Sequence, residues 1–223
     1  MGSPQTLSEA DRRIVAVWAA DRAERVLVLF EAEAPGDSRA RDAIAQTRAF
    51  ARGELGVAEE IRRRFIGRVA AGEVSAPAAM AAARAAGQAA AIAHMGAHAL
   101  GAAAYAVKAA GLAASDRADA VGEEIRWQLG RLSEAAKAAL RLLPPVGENA
   151  SGPLGPGLLS SGLVGAIIRD LQASWRSPTA RSLPDRAAIG KTETNQSGLS
   201  RCALPSASHS LRPLEVVARR DRI

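Results

Sequence analysis

Two histidines, His94 and His98, stand four residues apart in a stretch that is predicted to be helical. On an α-helix that spacing places two side chains on one face, as two ligands of a metal site require. The residues between them, Met95 to Ala97, lack the glutamate that acts as general base in a zinc-protease helix, and the sequence suggests no third ligand. We therefore predict histidines that are packed and hydrogen-bonded at a helix junction, with no metal and no other cofactor.

Three carboxylates, Asp21, Glu24 and Glu31, fall on the first predicted helix and could share a face. Paired carboxylates perform acid–base chemistry when their surroundings separate their pKa values. Because Arg22 and Arg25 are interleaved with them, we predict a salt-bridged solvent face and no general acid or base.

The remaining motifs give no catalytic residue. Residues 190–192, Gly-Lys-Thr, resemble the end of a phosphate-binding loop, but that loop needs a glycine where this chain has Asp185. The run Arg62-Arg63-Arg64 fits the charged outer face of an amphipathic helix. No serine or cysteine is spaced from a histidine in a way that suggests an activated nucleophile. The sequence thus favours a binding protein over an enzyme.

Net charge is distributed unevenly along the 223 residues. The whole chain carries +6, but residues 1–143 hold 19 Lys and Arg against 17 Asp and Glu, and residues 144–223 hold 10 against 6. The basic excess therefore belongs mostly to the C-terminal part, which argues against nucleic-acid binding by the preceding residues. A single cysteine, Cys202, excludes a disulfide within the chain.

Residues 85–107 contain no Lys, Arg, Asp or Glu, which raises the question of a membrane span. Alanine and glycine dominate the stretch, and alanine contributes little transfer free energy. We read it as a buried hairpin and predict no membrane association. With no signal peptide evident at the N-terminus, we expect a cytoplasmic protein.

Apolar residues recur with a helical period from about Ser8 to Leu143, so we predict an all-α, antiparallel, Ala-rich bundle of about six helices. Ser8 is predicted to cap the first helix, Asp37 or Ser38 the second, Ser75 the fourth, and the pair Ser115-Asp116 a last helix that runs to Leu143. The predicted inward residues of the first two helices are Val15, Ala19, Ala23, Val26, Phe30, Ala40, Ala43, Ile44, Thr47 and Ala51. A third helix follows at residues 57–69.

Alanine fills 22 of the 39 positions between Ala76 and Ala114. Such small side chains allow two helices to approach closely, and we expect a break at Gly96 or Gly101. After Leu143 the composition changes, since eight of the 11 prolines lie in residues 144–223. We predict that this segment is a largely disordered tail with one helix near residues 158–175, because it cannot bury enough apolar area to offset chain entropy.

Several segments between residues 8 and 143 together resemble a known family. They are residues 11–13, 18–21, 23–27, 29–31, 39–44, 48–54, 82–87, 94, 98–99, 103–109 and 126–129. Their order and spacing are similar to the five-like family of putative immunity proteins of bacterial polymorphic toxin systems. Position 22 departs from the pattern, since it is arginine where we expect cysteine.

The resemblance implies a cytosolic bundle that binds a cognate protein toxin and neutralises it by occlusion, without catalysis. It assigns no contact residues, and our candidates for partner binding are Trp18, Asp21, Glu24, His94, His98 and Trp127. Three alternatives stay open: a helical scaffold or interaction module unrelated to toxins, a weak nucleic-acid binder that uses the basic tail, and a metal-dependent enzyme that uses His94 and His98. The sequence also leaves open whether the chain forms a homo-oligomer.

Overall fold

Seven α-helices and one 3-10 turn make up the part of the chain that the computed structural model describes, residues 3–55 and 70–176. The helices are α1 (Glu9–Glu31), α2 (Arg39–Arg52), α3 (Pro77–Ala90), α4 (His98–Ala113), α5 (Arg117–Gly130), α6 (Glu134–Arg141) and α7 (Gly162–Arg176), and the 3-10 turn is Ala91–Ala93. These ranges contain no strand, so the predicted all-α class is confirmed. The predictions for residues 57–69, residues 190–192 and Cys202 concern positions outside the described residues.

Helix α1 packs against α2, α3, α4 and α6. The Oγ of Ser8 accepts a hydrogen bond from the backbone N–H of Asp11 (3.1 Å), which confirms the predicted cap. The five apolar residues predicted to face inward on α1 are all buried. On α2 the predicted Ala51 is only partly buried, and Phe50 fills the core instead.

The alanine-rich stretch forms α3 and α4, which pack along each other. The break falls between Ala91 and Ala97, so of the two expected positions Gly96 is correct and Gly101 lies inside α4. The backbone N–H groups of Gly96 and Ala97 donate to the carbonyls of residues 6 and 5 (both 3.0 Å), which satisfies the donors that the break frees. No helix within the described ranges has the length and apolar character that crossing a bilayer requires.

The N-terminus of α3 is held by a side chain from a different part of the chain. Its N-cap residue is Ala76, and not the predicted Ser75. The carboxylate of Glu33 accepts hydrogen bonds from the backbone N–H groups of Ser75 (2.6 Å) and Ala76 (3.0 Å) and from the Ser75 hydroxyl (2.9 Å). These bonds lower the pKa of Glu33 below its ordinary value.

This cap predicts a pH dependence of stability. Because the pKa of Glu33 is lower in the folded chain than in the unfolded chain, its contribution is present above the ordinary glutamate pKa and is lost as the pH falls through the folded pKa. We expect the acid-side fall in Tm to be shallower in Glu33→Gln than in the unchanged protein. Thermal melts between pH 7 and pH 3 measure this difference, with Glu134→Gln, at an exposed position on α6, as the control. If Tm fell equally steeply with pH in Glu33→Gln and in the unchanged protein, the Glu33 hydrogen bonds would not stabilise the fold.

The predicted last helix is two helices. Helix α5 ends at Gly130, and Ser133 caps α6 by accepting a hydrogen bond from the backbone N–H of Ala136 (3.1 Å). A serine that bonds an amide three residues later favours a helix start over a helix interior, which explains the division. Asp116 caps α5 as predicted, through the N–H of Asp119.

Residues 144–176 differ from the expected tail because they pack on the bundle. Helix α7 contacts α4 and α6, and its inward face is buried at Val164, Ile167, Ile168, Leu171 and Trp175. Two glutamines satisfy the backbone of the connecting loop: Gln5 bonds Ser151 O and Leu154 N, and Gln172 bonds Pro144 O and Val146 N. The loop composition therefore does not prevent order, and the helix predicted near residues 158–175 is present.

Candidate protein-binding surface

Trp127 on α5 lies partly exposed and in contact with three arginines. The guanidinium carbon of Arg25 is 4.1 Å from the indole centroid, that of Arg131 is 4.6 Å and that of Arg22 is 5.1 Å. Cations at these distances over an indole face are attracted to its π-electrons. We call Trp127, Arg25 and Arg131 the Trp127 surface.

Arg22 lies behind that surface and is buried, with 1% of its area exposed. Its guanidinium carbon is 4.9 Å from the ring of Trp18, and its Nη2 donates to the carbonyl of Gln128 (2.7 Å). Burial lowers the pKa of Arg22 to about 10, since desolvation penalises the charged form. Arg22 therefore remains protonated at neutral pH and joins α1 to α5.

A buried carboxylate completes the junction between the helices. Glu124 Oε2 accepts a hydrogen bond from Nε of Arg25 at 2.7 Å, and Glu124 is 3% exposed. Gln128 donates to the other oxygen of Glu124 and to the carbonyl of Ala103 on α4 (both 3.2 Å). Because these bonds fix the neighbouring turns of α5, the indole of Trp127 is presented in a defined orientation.

The predicted acidic residues of α1 form ion pairs with α2. Arg48 on α2 places its Nη2 3.0 Å from Asp21 Oδ1 and also contacts Glu24, while Glu31 pairs with Arg41. The salt-bridged face is therefore confirmed for the carboxylates. Arg22 departs from the prediction in its exposure, because it is buried, although its Nη1 still lies 3.8 Å from Oδ2 of Asp21.

The two predicted histidines lie at a different place. His94 follows the 3-10 turn and His98 begins α4, so they do not share one helix as predicted. Both line a cavity of about 820 Å³ beside α3 and α4, where His98 Nδ1 is 2.8 Å from Oε1 of Gln88. His94 is exposed, so the predicted packing is wrong for this residue. Among the residues that the structure describes, no three His, Cys, Asp or Glu side chains are grouped to hold a metal ion.

The comparison with known families decides the assignment. The model of the family described as Imm-5 like putative immunity protein matches residues 5–135, which is more than half of the chain. The chain belongs to this family. No curated protein and no solved structure matches it.

The Imm-5 like match extends from the segment before α1 into the start of α6, so the whole Trp127 surface lies within it. Helix α7 lies beyond the match and adds its apolar face to the core. Of the residues predicted for partner binding, Asp21, Glu24 and Trp127 are at least partly exposed on α1 and α5. Trp18 is buried, with 3% of its area exposed, and His94 and His98 line the separate cavity.

Sequence reasoning missed Arg22, Arg25, Arg131 and Glu124 as members of this cluster. A signal for Arg22 existed, because it follows Trp18 by four positions and precedes Val26 by four, on the inward stripe of α1. A cation on such a stripe needs a buried acceptor or an aromatic face, and Trp18 is the nearest one in the sequence. Arg131 gave no comparable signal.

Proposed function

We propose that this chain is an immunity protein that binds a cognate toxin and neutralises it by occlusion inside the producing cell, without catalysing a reaction. The observation that carries the proposal is the partly exposed Trp127 indole packed against Arg25 and Arg131. Tryptophan and arginine are the side chains that most often dominate the energy of protein interfaces. Family membership supports the same partner class.

The contact surface we propose is formed by α1 and α5, with Trp127 at its centre and Asp21 and Glu24 at its edge. Trp18 supports it from behind through Arg22. A specific interface of ordinary size buries about 1,200–2,000 Å² in total. The described residues carry 17 Lys and Arg and 17 Asp and Glu, so the body is electrically neutral and does not favour mimicry of a nucleic acid.

Co-expression with toxin genes from the same locus tests this function. We expect cells that carry the toxin to grow only when the full chain is present, and a toxin from an unrelated locus to remain lethal. Growth arrest that persists despite soluble expression of the chain would refute the proposal. Capture of an unrelated protein by the Trp127 surface in that case would favour the scaffold alternative.

A further inference from the structure

A second surface, on the α3 and α4 side of the bundle, concentrates positive charge. It is a groove of about 430 Å³ that contains three cations: Arg84 on α3, Lys108 on α4 and Arg117 at the start of α5. No Asp or Glu from the described residues lines it. We call these three residues and the side chains between them the cationic groove.

The rest of the groove is apolar. Met80, Leu112 and Leu163 line it, each partly exposed, and Leu163 brings in the first turn of α7. Methionine is flexible and polarizable, and it adapts to different partner side chains. An occupant must therefore supply negative charge at the edges and apolar atoms at the centre.

Two of the three cations belong to closely packed parts of the bundle. A Cβ built at Gly111, three residues after Lys108 on α4, would lie 2.6 Å from Cγ2 of Val121 and 3.4 Å from Cγ of Arg117. The missing side chain therefore lets the first turns of α5, which carry both residues, pack closely on α4. Arg84 has its guanidinium carbon 5.9 Å from the ring of Tyr105, which is buried. The arrangement is thus part of the packed bundle.

We infer that the cationic groove binds an acidic segment of a protein partner, one in which Asp or Glu residues are interspersed with apolar residues. This rests on the proposed function in one respect, namely that the partner is a protein. Residues 3–55 and 70–176 together carry no net charge, so three cations without a lining carboxylate are a local excess of positive charge. The undescribed parts of this chain fit poorly, because residues 56–69 hold four Arg against two Glu and residues 177–223 hold eight Lys and Arg against four Asp and Glu.

The test uses the full chain and a fluorescent 12-residue peptide of repeated Glu-Glu-Leu, with binding followed by anisotropy in low salt. We expect the Lys108→Glu/Arg117→Glu variant to bind about tenfold more weakly, because two attractions become repulsions. The matched control is Lys137→Glu/Arg169→Glu, which makes the same charge change outside the groove and should leave affinity unchanged. A Gln-Gln-Leu peptide should not bind.

Three results would overturn the inference: equal affinity in the two double variants, equal binding of the Gln-Gln-Leu peptide, or tighter binding of a DNA duplex that is lost in the groove variant. The basic residues after Arg176 are present in every variant, so only a difference between variants reports the groove. The toxin co-expression experiment separates this inference from the proposed function. If the unchanged chain rescues growth but does not bind the peptide, only the inference about the cationic groove is refuted. If it binds the peptide but does not rescue growth, only the proposed toxin neutralisation is refuted.

Discussion

Replacing Trp175 with alanine is expected to lower the free energy of unfolding by about 3–5 kcal/mol, the range for truncating a buried tryptophan. Trp175 is 1% exposed and lies edge-on to Trp18, with ring centroids 6.5 Å apart and planes at 87°. Its loss opens a cavity where α7 meets α1. Urea denaturation of the full chain, followed by circular dichroism, measures the change.

The matched control is Leu158→Ala, which removes a large apolar side chain that is 67% exposed in the same C-terminal region. We expect it to change stability by less than about 0.5 kcal/mol. If Trp175→Ala lowered the free energy of unfolding as little as this control, residues 144–176 would not belong to the cooperative fold.

Removal of all residues after Leu143 should also destabilise the bundle, because Arg141 and Leu143 would lose their hydrogen bonds to Trp175 and Arg176.

Replacing Trp127 with alanine is expected to weaken toxin binding by about 2 kcal/mol or more, roughly 30-fold in Kd. The indole is partly exposed, so most of its loss should appear in binding and little in folding. Arg25 and Arg131 would also lose the ring that orients them. Surface plasmon resonance against the toxin encoded at the same locus, together with a thermal melt, separates the two effects.

The control for this substitution is Leu142→Ala, which truncates an exposed apolar residue outside the Trp127 surface and outside the family match. It should leave Kd unchanged. Equal affinity of Trp127→Ala and the unchanged chain would place the toxin elsewhere on the bundle.

The helical period of α1 and the cap at Ser8 were predictable because both depend on neighbouring residues along the chain. The same holds for Asp116 and for the close packing of α3 on α4, which follows from alanine content. Local rules did not distinguish Gly96 from Gly101, since the choice depends on residues 5 and 6 bonding the broken turn. The capping of α3 by Glu33 was equally unpredictable from local rules, because Glu33 lies more than forty residues before the helix in the sequence.

The order of residues 144–176 was missed for a related reason. Proline, serine and glycine in the loop indicate disorder only if their backbone groups remain in water, and here Gln5 and Gln172 bond them. The apolar spacing of α7 was visible, but its partner surface on α4 and α6 was not. Arg22 shows the same limit for the candidate site, since the ring of Trp127 that faces it is over a hundred positions away.

Titration calorimetry of the purified toxin from the same locus with the full chain tests the central claim most directly. The proposed function predicts measurable binding of the toxin, with a Kd at least about 30-fold weaker for Trp127→Ala. Two results would contradict this claim: no measurable heat with an active toxin, or the same Kd for Trp127→Ala and for the unchanged chain.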